Sequence, residues 1–262
     1  MKKTLIALAV AASAAVSGSA MAWTANGTGN SVSLGGTLTP TDVITPWEVK
    51  VGAAVNGLDA AVRKGDTNVD IPVKNAIPVL GIRTVEAKPF LGNSGLAPQI
   101  SYGGALDLNS YNGERGLATL TLEVRDKGNS NKIGTLTTKM FTGAESVYKG
   151  PSDLVAHRQY LYASKVGDAF FGGLPKSDNA VSQNSYAIAQ SVGAEYVAHF
   201  VDMGATDKNF ASTNFADPIN YSAFYYAGIS SGADLSIALT SPVVGNAQIQ
   251  WNASLPVTIS YR

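Results

Sequence analysis

Apolar and polar positions alternate with a period of two through much of this chain, the signature of strands with one buried face. Such runs occupy 47–55 (WEVKVGAAV), 68–73 (NVDIPV), 98–104 (PQISYGG), 117–125 (LATLTLEVR), 132–140 (KIGTLTTKM), 222–229 (SAFYYAGI), 233–240 (ADLSIALT), 247–251 (AQIQW) and 254–261 (SLPVTISY). Between the fourth and fifth, RDKGNSNKIG supplies Gly and Asn for a hairpin turn. Short strands separated by turn signals predict a mainly β fold, a sandwich rather than a parallel α/β sheet.

The period changes between about 150 and 204. Apolar residues there recur at three and four in SDLVAHRQYLYASKVGDAFF (152–171) and NSYAIAQSVGAEYVAHFVDM (184–203), with Ser152 and Asn184 in place as N-caps. This spacing predicts a partly helical insertion into the sandwich rather than a separate domain.

Both ends of the chain carry alternation that raises a question. In NSVSLGGTLT (30–39), Val32, Leu34 and Leu38 share one face, and Gly36 leaves a gap on that face. At the other end Leu255, Val257, Ile259 and Tyr261 face one way, with Pro256, Thr258 and Ser260 opposite. Pro256 cannot donate to a ladder, which places this strand at a sheet edge. A long apolar edge strand needs a partner. The residues allow 30–39 to be a first strand of its own domain, with Gly36 a bulge, or a strand that joins another chain.

The first residues set an address. MKK, the apolar run TLIALAVAASAAV and the small residues SGSAMA form a secretory signal peptide over 1–22, cleaved after Ala22. The run is too short to span a bilayer. Its removal leaves 240 of the 262 residues, with 17 basic against 19 acidic side chains once Lys2 and Lys3 are gone. No basic excess favours nucleic acid. The absence of cysteine leaves the exported chain to be held by burial without disulfides.

Candidate chemistry is sparse. His157 and His199 lack the spacing of a zinc site, and the expected metals and cofactors are none. GNSG (92–95) lacks the nucleophile-elbow spacing, GTGNSV (27–32) fails the dinucleotide pattern, and no carboxylate pair stands out. The expectation is a non-enzymatic protein. Tyr160, Tyr162, Phe170 and Phe171 offer flat apolar faces suited to a sugar ring, with Arg158, Lys165 and Asp168 as hydrogen-bonding neighbours. The same aromatics equally suit the buried face of an amphipathic helix.

Exported bacterial proteins with such a C-terminal strand include outer-membrane barrels and the subunits of chaperone–usher fimbriae. A barrel usually ends on its aromatic residue, whereas Arg262 follows Tyr261 here. Several blocks make the second resemblance specific. The leader with a mature start at Trp23, PWEVKVGAAVNGL (46–58), GLATLTLEV (116–124) followed by NKIGTL, AFFGGL (169–174) and QWNASLPVTISY (250–261) together resemble the major subunit of fimbriae of the K88, or F-four, type. These blocks run from end to end of the mature chain.

The resemblance implies an incomplete immunoglobulin-like β-sandwich that lacks its last strand and is completed by donor-strand addition. It implies a domain over 41–262, with the insertion at about 150–204, preceded by a donor-strand arm over 23–40. Val32, Leu34 and Leu38 would fill the groove of a neighbouring subunit, and Gly36 would meet a shallow position in it. Leu255, Val257, Ile259 and Tyr261 would form the acceptor and chaperone-binding strand. Implied partners are identical subunits in a polymer, a periplasmic assembly chaperone, an outer-membrane usher and host-cell glycoconjugates. The implied location is a cell-surface fimbrium, reached through the periplasm. Glycan binding falls near AFFGGL, on Arg158, Tyr160, Tyr162, Lys165, Phe170 and Phe171. Tyr162 matches an aromatic position of the family's sugar site; the basic residue expected five positions later falls on Gly167, with Lys165 nearest. The alternative is a secreted or periplasmic carbohydrate-binding sandwich that folds alone.

Overall fold

A computed structural model describes residues 32, 34–39, 44–111 and 116–262. The expected signal peptide, its cleavage site and the rest of the 23–40 arm lie outside the described residues. The chain divides into two compact units, Met1–Val43 and Ile44–Arg262. The described part of the first carries no regular secondary structure.

The second unit is mainly β. In chain order its strands are β1 (Trp47–Val51), β2 (Asn68–Pro72), β3 (Ile77–Thr84), β4 (Phe90–Leu91), β5 (Pro98–Ser101), β6 (Leu106–Asp107), β7 (Leu117–Asp126), β8 (Lys132–Lys149) and β9 (His157–Leu161). After β9 come helix α1 (Ser185–Val192), β10 (Asp207–Ala211), β11 (Asn220–Ile229), β12 (Asp234–Leu239), β13 (Trp251–Ala253) and β14 (Thr258–Tyr261). Twelve strands form one sheet whose main path is β1-β3-β11-β8-β12-β2, while β14 and β5 form a separate pair.

Strand β8 is the spine. One of its edges pairs with β12 and then β11, the other with β7 and then β9. Its first half alternates between burial and exposure, but its second half is buried on both faces. Alternation therefore disappears from the sequence after about Met140, where the sequence reading ended the strand.

The 150–204 segment differs from its expected form. Its first half is not helical: His157–Leu161 is strand β9, antiparallel to β8, and Ser152 lies in a turn. The period of two is absent there because β9 is half-buried at His157, Arg158 and Gln159 and buried at Tyr160 and Leu161, with no alternating exposed positions. The α-helix is confined to Ser185–Val192, flanked by 3-10 turns at Asp178–Ala180 and Ala194–Val197. Asn184 precedes α1 as expected but makes no side-chain capping bond. The buried carboxylate of Glu145 accepts the Tyr186 N–H at 2.8 Å instead, meeting one of the helix's open donors. This long excursion, with α1 inside it, lets β10 return parallel to β9, as a parallel pair requires a crossover.

Two apolar clusters hold the unit. In the larger, Trp47, Phe90, Phe170, Phe215 and Tyr221 form a connected group of mostly edge-to-face rings at 5.0–6.1 Å. Burying each such side chain contributes roughly 1.5–3 kcal/mol. The smaller joins Phe141, Phe224 and Tyr226 of the sheet to Ala189 of α1, Tyr196 and Val197. Gly81 of β3 admits the Tyr196 ring against the sheet, since a Cβ there would stand 2.5 Å from a ring carbon.

Candidate functional site

Three features carry the residues expected at functional sites: the arm, strand β14 and the loop after β9. In the arm, Val32, Leu34 and Leu38 are 84%, 94% and 96% exposed. A Cβ added at Gly36 would meet nothing within 4 Å. Three large apolar side chains spaced for one strand face are thus presented to solvent. Singly, exposed apolar residues are ordinary; a period-two set without a core beneath it asks for a partner.

The C-terminal segment changes sheets. β13 pairs with β7, and five residues later β14 pairs with β5, from Thr258 opposite Ser101 to Tyr261 opposite Pro98. Pro256 lies in the crossing, against Gly103, whose positive φ and absent Cβ make room for the ring. Leu255, Val257, Ile259 and Tyr261 are half-buried and pack against the main cluster, while Ser254, Pro256, Thr258 and Ser260 are exposed. Among the described residues, the backbone partner of β14 is β5, extended by a reciprocal pair of bonds between Ala97 and Arg262 at 2.9 and 3.1 Å. β14 therefore has one paired edge and an apolar face incompletely covered.

The other edge of β5 holds the loop around AFFGGL. Phe170 N–H donates to Pro98 O at 2.6 Å and Ile100 N–H to Phe171 O at 2.8 Å. Gln99, itself buried, donates from Nε2 to Asp168 O at 2.9 Å and accepts Gly167 N–H at Oε1 at 3.0 Å. Gly172 has φ +86°, and a Cβ there would stand 2.0 Å from Ile100 O, so the loop closes on β5 only with glycine. Within the loop, the Asp168 carboxylate accepts Ser164 N–H, Ser164 O–H and Lys165 N–H at 2.8–3.1 Å. Beneath it the Tyr102 and Tyr225 hydroxyls meet at 2.9 Å, and Tyr225 donates to Gly173 O at 3.1 Å. Burial pushes both phenols well above their ordinary pKa.

The six residues considered for glycan contact are dispersed by this geometry. Phe170 is fully buried, held at φ +62° with its ring against Trp47, Phe215 and Tyr225. Tyr160 is buried beside Phe210. The Arg158 guanidinium binds the buried Glu145 carboxylate at 2.6 Å and lies over the Tyr186 and Phe200 rings. Tyr162 and Phe171 are half-buried and Lys165 is exposed. The surface thus offers Tyr162, Lys165 and Phe171.

Both histidines are half-buried rather than helical. His157, on β9, stacks on Tyr148 and bonds Asp207 at 2.8 Å; that bond holds the Asp207 carboxyl below its ordinary pKa. His199 Nδ1 contacts Thr84 O at 2.6 Å. Among the described residues no group of three or more His, Cys, Asp or Glu is placed to hold a metal.

A family model described as "Fimbrial, major and minor subunit" matches residues 1–262. The chain belongs to this family of fimbrial subunits. It is similar to K88 fimbrial protein AC of Escherichia coli, 31% identical over 294 residues, and to K88 fimbrial protein AB, 31% over 291, each match covering 100% of both chains. The F41 fimbrial protein of Escherichia coli is 28% identical over 288 residues, again across 100% of both chains. This fimbrial subunit is a structural protein of a surface fimbria, not an enzyme. No described helix of the subunit is long and apolar enough to cross a membrane.

Sequence reasoning missed Gln99 and the left-handed Phe170. Gln99 reads as a polar interruption in a short strand, and its two partners are 68 and 69 residues away. Phe170 lies between Ala169 and Phe171 in the quoted block, and nothing in its type signals a positive φ, which a bulky residue rarely adopts.

Proposed function

We propose that the subunit polymerises by donor-strand exchange, its arm adding a strand beside β14 of a neighbour and completing an immunoglobulin-like sandwich. The observation that carries this reading is the pairing of two incomplete features within one chain. The arm exposes Val32, Leu34 and Leu38 to solvent, and among the described residues β14 has one bonded partner strand and the half-covered row Leu255, Val257, Ile259 and Tyr261. Strand addition answers both needs, since main-chain bonds fill the open edge and alternate side chains fill the face. Three such side chains contribute on the order of 5–9 kcal/mol when buried. A periplasmic chaperone first occupies β14, and an outer-membrane usher exchanges it for the arm of the next subunit.

The polymer also binds host glycans through the loop after β9. Tyr162 and Phe171 supply partly exposed rings for stacking, and Lys165 a donor for hydroxyls. Phe170, buried within the loop, anchors this surface to the core, while Arg158 and Tyr160 pack elsewhere along β9.

Deleting residues 23–39 tests the polymer reading. The expected product is a soluble subunit that co-purifies with the chaperone and forms no fibres by electron microscopy. Fibres of normal length from the deletion variant would overturn it.

A further inference from the structure

Strand β5 stands between the two regions just assigned. On one edge it carries β14, residue by residue from Ser101–Thr258 to Pro98–Tyr261. On the other it carries the receptor loop through Phe170 N–H to Pro98 O, Ile100 N–H to Phe171 O and a parallel bridge between Gln99 and Phe171. Gln99 is the one residue of β5 whose side chain also grips the loop, clamping Gly167 N–H and Asp168 O while its backbone faces Ser260 of β14. Loop and acceptor strand are therefore separated by one strand's width.

The loop is held in a conformation it would not keep alone. Phe170 has φ +62° and Gly172 φ +86°. A bulky residue in the left-handed region persists only where its surroundings over-determine it. Here those surroundings are β5 and the ring cluster under Phe170. β14 is a short, four-residue strand with one bonded partner, so the β14–β5 pair is the less supported side of this arrangement. A strand added beside β14 reduces fraying of β14, then of β5, and then of the loop bound to β5.

We propose that Gln99 is a positioning residue that transmits groove filling to the receptor loop, so that the glycan-binding surface becomes fully ordered only in the assembled fimbria. This rests on the donor-strand reading above, and its glycan consequence on the proposed loop site. It gives the polymer a property the isolated subunit lacks: subunits in transit hold a looser receptor loop, and assembled ones present a rigid surface that loses less entropy on binding.

Hydrogen exchange by mass spectrometry on purified fibres tests the coupling without any sugar. Leu34→Ala in the arm weakens groove filling while leaving the acceptor domain's own sequence intact. The expected result is severalfold faster exchange in segment 255–262 and also in segment 165–173. In fibres carrying Gln99→Ala as well, segment 255–262 responds to Leu34→Ala as before, while segment 165–173 exchanges fast with or without it. Faster exchange in 255–262 with an unchanged 165–173 would overturn the coupling and leave the donor-strand reading standing. No change in either segment would overturn both. A response of 165–173 in fibres that retain no glycan binding supports the coupling and counts against the loop site alone. The Leu34→Ala comparison in the otherwise natural chain keeps the test valid should Gln99→Ala fail to fold.

Discussion

Arg158 and Glu145 form an ion pair inside the protein, Nη2 to Oε2 at 2.6 Å and Nε to Oε2 at 2.7 Å, with 17% and 1% of their side chains exposed. They sit diagonally on neighbouring strands, Arg158 opposite Val147 and Glu145 opposite Tyr160. Glu145 also accepts Tyr186 N–H at the start of α1, and the guanidinium lies 5.4 Å from the Tyr186 ring and 5.2 Å from Phe200. The pair therefore pins the helical part of the insertion to the sheet. Arg158→Met leaves the Glu145 carboxyl buried without its partner, which costs about 3 kcal/mol. Urea unfolding of the two proteins measures it.

The same pair has a pH signature. Burial raises the Glu145 pKa above its ordinary value, an effect larger than the opposing pull of Arg158 and of the Tyr186 N–H. A carboxyl whose folded pKa is raised supports folding most below its unfolded pKa, and that support is lost as pH rises through the folded value. The stability advantage of the natural protein over Glu145→Gln is expected to shrink as pH rises from about 4.5 through that window. An advantage that grows over the same window would show that pairing outweighs burial.

Gly36 lies on the apolar face of the arm, between Leu34 and Leu38, with open space around it in the isolated chain. Gly36→Leu therefore costs the free subunit nothing by clash, and any effect must come from what the arm enters. The expected outcome is normal recovery of chaperone-bound subunit and a sharp fall in fibre yield. Equal loss of both in a pull-down would show that Gly36 has no special place in the groove.

The aromatics near AFFGGL separate into a supporting and a presenting set. Phe170→Ala empties a fully buried ring position and is expected to cost about 3–5 kcal/mol in thermal or urea unfolding. Tyr162→Ala, at a half-exposed position, is expected to lower adhesion of fibres to host glycoprotein severalfold with a cost below about 1.5 kcal/mol. Undiminished adhesion by Tyr162→Ala fibres would move the site elsewhere.

Much of the sheet was legible in the sequence, and the losses at β3, β8 and β9 share one feature, a lack of alternation. β7, with its inward Ala118, Leu120 and Val124, alternates as written, and so does the row from Leu255 to Tyr261. β3 was missed because its middle is buried on both faces, leaving IPVLGIRT without a period. The second half of β8 is lost the same way; β9, half-buried or buried at every position, also shows no period of two and reads as helix. The expected run at 247–251 forms a strand only from Trp251 onward. At the candidate site, side-chain types pointed to the loop but not to which rings face water. Phe170 and Phe171 are adjacent in sequence, yet the positive φ at Phe170 turns its ring into the core and leaves Phe171 half-exposed. That distinction depends on β5 and Gln99, far away in the chain.

The central claim is that the arm of one subunit lies beside β14 of the next. The chain has no cysteine, so a pair introduced by mutation is free of competing thiols. Leu34→Cys combined in turn with Leu255→Cys, Val257→Cys and Ile259→Cys places one thiol on the arm and one on the β14 segment, and adjacent strands bring facing residues within disulfide range. After mild oxidation of fibres, non-reducing gel electrophoresis is expected to show a ladder of covalent multimers for at least one pair, collapsing to monomer on reduction. Monomer alone from all three pairs, in fibres of normal appearance, would contradict the account.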